Sequence, residues 1–394
     1  MTELQELRRY RRDLHRIPEL DFDLSQTIAY IEGVLASLAC EVTHPCPSCV
    51  CAFFDAGTGA AHATAIRADM DALPIAEATG AAFASTHPGK MHACGHDGHM
   101  AMALAAATFV DRTIREQPGA IKRNVLFVFQ PAEETTGGAK TVCESGVFER
   151  YGVDRIFGFH VWPDLPANTL ASCSGPLLAR SSETHVHIHG TSIHIAKTYG
   201  VPVNESHDAA LAAAKFLVAE CELMDELGAD EPALVSSACC RPVPSAMRWR
   251  GRPMLPAVCA CLRTVCSTAR AKACAVYSTR RALQRAARTI STLRGLSTGR
   301  QRPRVVCQCR ACLARAAARD EPLLIAEDFA FYQRYLPGVF FLLGTGVPEA
   351  QENPIDADGC PAYAKSALHT DTMLFDEEIL LKGLDVYKRL LLLC

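Results

Sequence analysis

The sequence predicts an α/β protein of two domains, in which a mainly parallel sheet with helices on its faces carries a smaller domain as an insertion. Short segments rich in β-branched or aromatic residues alternate with helical patterns between residues 50 and 162. The pattern changes near residue 181, and 394 residues exceed the roughly 100–200 that one domain usually holds. A composition of 49% hydrophobic and 21% charged residues excludes disordered and collagen-like classes.

The elements of the larger domain follow from the spacing of apolar residues. Leu4, Leu7, Tyr10 and Leu14 recur at helical spacing, and Ser25 is a suitable N-cap for a second helix. Further along, the predicted strands are 50–54, 63–68, 124–130, 155–162 and 339–343, and the predicted helices are 97–110, 138–150 and 376–393.

The inserted domain is predicted from a strand followed by a long helix. Residues 183–189 alternate strictly up to Gly190, and an Ala-rich helix is predicted from Ser206 to Leu227. His185, His187 and His189 share one face of this strand. We favour polar alternation on a half-exposed strand as their explanation, with a metal-binding stripe as the alternative. We assign residues 1–181 and 295–394 to the larger domain and 182–294 to a small α+β domain.

The net charge of −3 and the 19 Cys conceal a division along the chain. The 88 residues from 232 to 319 contain no Asp or Glu, 17 Arg, Lys272 and nine Cys, a formal charge of +18. The rest, with 22 basic and 43 acidic residues, carries −21. The average therefore describes neither part.

Compartment and membrane association are predicted from the N-terminus and the thiols. No run of about 18 apolar residues occurs, and the first 20 residues are charged and amphipathic, unlike a signal peptide. Cys46, Cys49 and Cys51 include a C-x-x-C spacing without a second such pair nearby, which favours reduced thiols over a zinc site. We expect a cytoplasmic protein that does not enter a membrane.

The strongest local motif is the loop MHACGHDGH at 91–99, which opens a helix of small residues. Cys94, His96 and His99 are suitable ligands for Zn²⁺ or a similar first-row ion. His99 lies one turn beyond His96, and a structural role fits it better than ligation. The alternative is a helix N-terminus that happens to contain three polar residues.

Further candidate ligands follow the predicted strands. Glu133 and Glu134 lie just past strand 124–130, where α/β proteins place ligands, and adjacent residues in extended backbone point in opposite directions. One carboxylate could thus bind a metal while the other acts as general base. His160 and His369 lie beside apolar residues, as core histidines also do.

Asp69 and Asp71 form a second acidic pair, after strand 63–68. Their spacing of two places both on one side of an extended segment, which suits a ligand or a group that orients a histidine. Side chains bonded to their own loop backbone are the alternative.

Together these segments resemble the metal-dependent M20 peptidase and amidohydrolase family, in particular its aminoacylase, hippurate hydrolase and auxin-conjugate hydrolase branch. The resemblance covers about 1–235 and 320–394. The matching stretches are LHRIPEL (14–20), RADMDALPI (67–75), PGKMHACGHDGHMAM (88–102), FQPAEE with GGAK (129–140), GFHVWP (158–163), AEDFAFY (326–332), PGVFFLLGTG (337–346) and ALHTD (367–371).

The resemblance implies a pair of divalent ions, with Glu133 as the general base that deprotonates a metal-bound water. Zn²⁺ or Mn²⁺ is expected, and Co²⁺ or Ni²⁺ would also accept this donor set. Asp71 occupies the family's supporting acidic position, and Glu327 with Asp328 matches an acidic turn. The implied ligands of the two ions are Cys94, His96, Glu134, His160 and His369.

The inserted domain is expected to form a homodimer and to supply His194 to the neighbouring subunit's active site. The sequence around His194 is Ser-Ile-His-Ile, whereas the family has Gly-Gly-His-Ala at this position. The implied substrate is an N-acyl amino acid or a related small peptide-like amide, and the implied reaction is hydrolysis of its amide bond.

The basic segment 232–319 does not resemble the family. It is either a real insertion that binds nucleic acid or an acidic partner, or the product of two compensating frameshifts in a GC-rich gene. We favour the frameshift because sequence typical of the family resumes on both sides of the segment. The segment also lacks the aromatic residues, spaced among basic ones, that single-strand nucleic-acid binders use. We therefore do not expect a nucleic-acid partner. The alternative function is a metal-binding but catalytically impaired chain, or a non-catalytic protein that binds through this segment.

Overall fold

A computed structural model describes most of the larger domain and the strands and helix of the smaller one. The described residues are 2–135, 137–172, 177–178, 180–189, 199–202, 209–227, 233–242, 257–266, 292–295, 317–318, 323, 325–346 and 366–393. The chain divides into two compact units. The first comprises Met1–Leu177, Gly299–Glu321 and Asp328–Cys394, and the second comprises Leu178–Thr298 and Pro322–Glu327.

The first unit alternates helices and strands, as its apolar spacing predicts. Its helices are α1 (Glu3–His15), α2 (Ser25–Leu35), α3 (His96–Glu116), α4 (Gly138–Glu144) and α5 (Val147–Arg150). Its strands are β1 (Glu41–Thr43), β2 (Val50–Phe54), β3 (Ala63–Asp69), β4 (Asn124–Gln130), β5 (Val153–Pro166) and β6 (Leu170–Ser172).

The described elements of the second unit are β7 (Arg180–His189), α6 (Ala209–Leu227), β8 (Ala233–Pro242), β9 (Ala257–Cys266) and β10 (Thr292–Gly295). The first unit then resumes with β11 (Ala317–Ala318), a 3₁₀ turn (Asp328–Phe331), α7 (Tyr332–Tyr335), β12 (Gly338–Gly346) and α8 (Ile379–Leu393).

The first unit is built on an eight-stranded sheet in the order β1-β2-β4-β3-β5-β12-β6-β11. The four central strands, β4, β3, β5 and β12, run parallel, which confirms the predicted fold class. β3 and β4 pair in register from Ala63 with Asn124 to Asp69 with Gln130. The segments that follow these two strands, with Asp71 on one and Glu133 on the other, therefore begin side by side at one edge of the sheet.

A large apolar core joins this sheet to the helices. Leu7 and Leu14 of α1, Ile31 of α2 and Leu104 of α3 are fully buried in it. The same core contains Leu384 of α8, so that the two ends of the first unit pack on the central helix α3. Burial of these side chains is the main stabilising contribution, at about 1.5–3 kcal/mol for each large apolar residue.

The start of α2 differs from the sequence prediction. Ser25 is the first helical residue and not its cap, since no side-chain cap bond is made at the preceding Leu24. The buried carboxylate of Glu19 accepts the N–H groups of Gln26 and Thr27 at 3.0 and 2.9 Å instead. A cap supplied from outside the helix leaves no local sequence signal, which is why the pattern pointed to Ser25.

The second unit contains an antiparallel sheet in the order β10-β7-β9-β8 and the helix α6. Val186 and Ile188 of β7 pack against Ala209, Ala213 and Phe216 of α6. Three of these strands lie within 232–319, so this segment forms strands of the second unit's sheet although it does not resemble the family. The reason is that β7 pairs with β9 along its whole length, and strand formation depends on the pairing partner as well as on the local pattern.

Among the described residues, no helix combines the length and the apolar character needed to cross a membrane.

Candidate metal centre

The loop before α3 places a thiol and an imidazole on either side of a glycine. Gly95 has φ +85°, and a Cβ at this position would overlap the side chain of Val161. Only glycine meets both demands. Cys94 and His96 are consequently held at the N-terminus of α3, and both are buried.

The two glutamates after β4 are held by Asp71. One Asp71 oxygen accepts the backbone N–H of Glu133 at 2.9 Å, and the other accepts that of Glu134 at 3.0 Å. Ala132 enters this turn with φ +52°, a conformation that non-glycine residues rarely adopt. Asp71 thus fixes the backbone of both carboxylates and acts as a positioning residue.

His160 and His369 come from distant parts of the chain. His160 lies within β5, opposite Leu342 of β12. His369 has φ +62°, and its backbone N–H donates to the carbonyl of Ala93 at 2.8 Å. That bond brings the C-terminal segment against the loop that carries Cys94.

The five predicted ligands converge in this unit. The Sγ of Cys94 lies 3.3 Å from Nε2 of His160 and 3.2 Å from Nε2 of His369. The Oε1 of Glu134 lies 3.4 Å from Nε2 of His369 and 3.8 Å from Nε2 of His96. Glu133, His96 and Glu134 also form a group whose ligand atoms lie within 4.8 Å of one another.

Hydrogen bonds select the ring nitrogens that face the centre. Nδ1 of His96 donates to the backbone carbonyl of Asp71 at 2.7 Å, and Nδ1 of His160 donates to that of Val161 at 2.6 Å. The proton on Nδ1 leaves the Nε2 lone pair of each ring available for a cation.

The pKa values show that the centre is electronegative. Burial lowers the pKa of His96, but the charges of Asp69 and Glu134 outweigh burial and raise it to about 9. Burial, together with the charges of Glu134 and Glu133, raises the pKa of the Cys94 thiol well above its usual range. Burial followed by the nearby His99 lowers the pKa of His160 to about 3, so that this imidazole is neutral. The carboxylates therefore favour positive charge at His96, whereas His160 stays neutral.

The donor set fits a pair of divalent cations. Within the described part of the chain, Nε2 of His96 and Oε1 of Glu134 are buried and have no hydrogen-bond partner, an arrangement that costs free energy unless a cation satisfies them. Two ligand groups share the Cys94 sulfur. One is Cys94, His96 and His160, and the other is Cys94, Glu134 and His369. A shared thiolate, with two imidazoles in one group and an imidazole and a carboxylate in the other, suits two borderline-soft ions.

His99 and Asp69 contact the residues that carry the candidate ligands. Nδ1 of His99 bonds Asp69 at 2.6 Å, and Nε2 accepts the backbone N–H of Val161 at 3.0 Å, so both ring nitrogens are used. Asp69 also lies 3.6 Å from Nε2 of His96. These contacts fit the structural role expected for His99 and the orienting role considered for Asp69.

The sequence prediction missed Arg67, which is buried between carboxylates. Its guanidinium donates to Asp69 at 2.6 Å, to Asp328 at 3.0 Å and to Gln130 at 2.8 Å. Asp328 in turn accepts the backbone N–H of Ala139 at 2.9 Å. The sequence does contain a signal for this network, which is an arginine inside an otherwise apolar strand. A buried charge requires a partner, so Arg67 could have been expected to pair with a carboxylate.

A second buried network was also missed, at the junction of α1 and α3. Asp97 accepts Nε of Arg11 at 3.1 Å and contacts Nδ1 of His15 at 2.8 Å. Nε2 of His15 lies 3.2 Å from Glu77. Because Asp97 directly follows His96, this network fixes the helix start that carries the candidate ligand.

Three predicted features lie wholly or partly outside the description of the first unit. His194 lies outside the described residues. The side chains of His185, His187 and His189 lie outside the described part as well, although their backbone forms part of β7. Glu327 is described but belongs to the second compact unit.

The parallel sheet and the cluster of thiol, imidazole and carboxylate donors at its edge define an α/β protein of the metal-binding class. A family model, Peptidase family M20/M25/M40, matches residues 65–392, and the chain belongs to that family. The resemblance drawn from the sequence motifs is thereby confirmed.

Several curated relatives carry the name N-acetyldiaminopimelate deacetylase. That of Leuconostoc citreum is 41% identical over 196 residues, 48% of this chain and 49% of the relative. That of Bacillus subtilis is 41% identical over 194 residues, 49% of this chain and 50% of the relative. The chain thus spans about half the length of the curated relatives that it matches.

The solved structures extend the similarity over the whole chain. The Bacillus subtilis YXEP protein, titled a dinuclear metal binding peptidase from M20 family, is 27% identical with a TM-score of 0.71. The match covers 99% of this chain and 97% of that one.

Proposed function

We propose that this chain is a metal-dependent amidohydrolase that hydrolyses the amide bond of N-acyl amino acids or related small amides. The observation that carries the proposal is the pair of ligand groups sharing Cys94, with Glu133 held beside them by Asp71. The names of the curated relatives support it, because removal of an acetyl group from an amino-acid derivative is the cleavage of such an amide.

The residues that would hold the cations are Cys94, His96, Glu134, His160 and His369. Two divalent cations at this place would polarise the amide carbonyl and make water more acidic. We propose Zn²⁺ or Mn²⁺, with Co²⁺ or Ni²⁺ as alternatives, because the donors combine sulfur, nitrogen and oxygen.

Glu133 is the proposed general base. Its carboxylate accepts a proton from the attacking water and returns it to the leaving amine, so the residue ends the cycle as it began. Asp71 orients Glu133 through the backbone N–H that it accepts at 2.9 Å. The same Asp71 carboxylate holds Glu134, so base and ligand keep a fixed separation.

We propose further that residues 1–181 and 295–394 act as the catalytic domain and that 182–294 forms a homodimer interface, with His194 reaching the partner's site. A cytoplasmic location is supported by the free cysteines Cys40, Cys46, Cys49, Cys51, Cys94, Cys143 and Cys221 among the described residues.

A second candidate is a chain that binds metal but turns over poorly. It is favoured by the +18 charge and nine Cys of residues 232–319, which lie where the substrate-binding part of the small domain is expected. Metal binding without turnover would distinguish it from the first candidate.

The test is a hydrolysis screen of N-acyl amino acids on metal-reconstituted protein, with Glu133→Gln and Glu134→Gln as a matched pair. The Glu133→Gln variant should retain both metals and lose about 1,000-fold in kcat, because the amide cannot accept the proton. The Glu134→Gln variant should lose metal. Full activity in Glu133→Gln would refute the assigned base, and loss of metal in it would reassign Glu133 as a ligand.

A further inference from the structure

A tight turn between β1 and β2 places two cysteines at its ends. The backbone N–H of Cys49 donates to the carbonyl of Cys46 at 3.2 Å, and Ser48 has φ +56°. Pro47 at the second position and positive φ at the third are the pattern of a type II β-turn. Such a turn holds its first and last Cα atoms within about 7 Å, which overlaps the separation of about 4.4–6.8 Å that a disulfide requires.

The turn is held in place on both sides. The hydroxyl of Ser48 donates to the carbonyl of Phe22, and Nδ1 of His44 bonds the carbonyl of Cys49 at 3.2 Å. The next residues of the chain, from Val50, pair with β4. Closing a disulfide between Cys46 and Cys49 would therefore require side-chain rotation and little reordering of the backbone, which keeps its entropic cost small.

The two thiols differ in exposure and in chemistry. Cys46 is partly exposed, and Cys49 is fully buried, with its Sγ 3.9 Å from that of Cys51. A hydrogen bond from Cys49 lowers the pKa of the Cys46 thiol. Hydrogen bonds with Cys46 and Cys51, followed by burial, raise the pKa of Cys49 well above its usual range. An accessible, more acidic thiol beside a buried one is the arrangement in which the first attacks and the second resolves.

We propose that Cys46 and Cys49 form a redox-active dithiol that a small peroxide converts into a reversible disulfide. The Cys46 thiolate attacks one oxygen of hydrogen peroxide, the O–O bond breaks, and a sulfenic acid and hydroxide form. The Cys49 sulfur then attacks the Cys46 sulfur, and the S–O bond breaks as the S–S bond forms, releasing a second hydroxide. The proton that Cys46 lost on ionising and the proton of Cys49 convert the two hydroxides into water, so two thiols and one peroxide yield one disulfide and two waters.

The experiment is differential alkylation of the full metal-loaded chain before and after treatment with hydrogen peroxide. Free thiols are blocked with a light reagent during unfolding, disulfides are reduced, and the released thiols take a heavy reagent. The tryptic peptide 17–67 contains Cys40, Cys46, Cys49 and Cys51, so fragmentation reads all four in one peptide. We expect Cys46 and Cys49 to gain the heavy label together and Cys40 to stay light.

Single variants make the assignment specific. Cys46→Ser changes a partly exposed side chain and should keep Cys49 light after oxidation, whereas Cys40→Ser, also partly exposed, should leave the labelling as in the wild type. Cys51→Ser should leave the Cys46–Cys49 disulfide intact. Light label on both Cys46 and Cys49 after peroxide would overturn the proposal. Heavy label on Cys49 and Cys51 in Cys46→Ser at the wild-type level would also overturn it, by assigning the dithiol to that pair.

Discussion

Three histidines near the centre, His96, His99 and His160, are oriented by the groups that their ring nitrogens contact. His96 and His160 use Nδ1 on backbone carbonyls, which leaves Nε2 for a cation. His99 uses both nitrogens, on Asp69 and on the backbone of Val161, and has none left. Ligand and support are therefore distinguished by hydrogen bonds and not by residue type.

At the same scale, His15 gives a prediction about pH. Burial alone would lower its pKa, but the hydrogen bonds to Asp97 and Glu77 outweigh burial and raise the pKa above 6.5. A raised folded-state pKa means that the fold binds protonated His15 more favourably than the unfolded chain does. The resulting contribution to the free energy of unfolding is fully present below pH 6.5 and is lost as pH rises through the folded-state pKa. Both carboxylates have lowered pKa values, so they stay charged down to about pH 4.5.

The variant to measure is His15→Gln, which should lower the free energy of unfolding by about 1–3 kcal/mol between pH 4.5 and 6.5. The difference from the wild type should shrink above pH 6.5. Urea unfolding at a series of pH values measures it. A difference that grows as pH rises would contradict a protonated His15 in the folded chain.

At the scale of elements, the site depends on where loops leave the sheet and enter α3. The loop that ends at Gly95 gives the sharpest case, since a side chain there meets both an unfavourable φ and the side chain of Val161. Gly119 is a matched control, because it has φ +80° but open space around its Cβ position.

We predict that Gly119→Ala costs about 1 kcal/mol of stability from its positive φ alone. Gly95→Ala should cost at least about 1 kcal/mol more, from overpacking, and should reduce the bound metal because Cys94 and His96 are displaced. Thermal unfolding and metal analysis of the two variants measure both effects. Equal costs with unchanged metal content would show that the loop tolerates the displacement.

Much of this architecture was predictable because it is encoded locally. The bounds of β2 and β4 match the predicted segments, since each is a compact run of β-branched and aromatic residues. The cap of α2 was not predicted because Glu19 lies outside the helix that it caps. The Arg67 network was not predicted because Asp328 is distant in sequence. The site was predictable as a set of residues through motif resemblance, whereas the sharing of Cys94 between two ligand groups required coordinates.

At the scale of the whole molecule, the described candidate ligands all belong to the first compact unit, whereas the basic segment contributes β8, β9 and β10 to the sheet of the second. Residues 232–298 of the basic segment thus belong to the second unit, whereas residues 299–319 belong to the first unit, which also contains the candidate ligands. None of the candidate ligands lies within 232–319, so the frameshift hypothesis for this segment can be tested separately from the metal centre.

This division predicts where metal should stabilise the chain. A cation that binds the folded state alone adds about 2.7 kcal/mol at a concentration 100 times its Kd. Since the candidate ligands lie in the first unit, adding Zn²⁺ or Mn²⁺ should slow amide hydrogen exchange in β3, α3 and β4. Exchange in α6 and β7 should change little, and the Glu134→Gln variant should lose most of the effect. Equal slowing of amide exchange in both units would contradict a metal centre confined to the first unit. In that case the second unit would either contribute ligands or unfold together with the first.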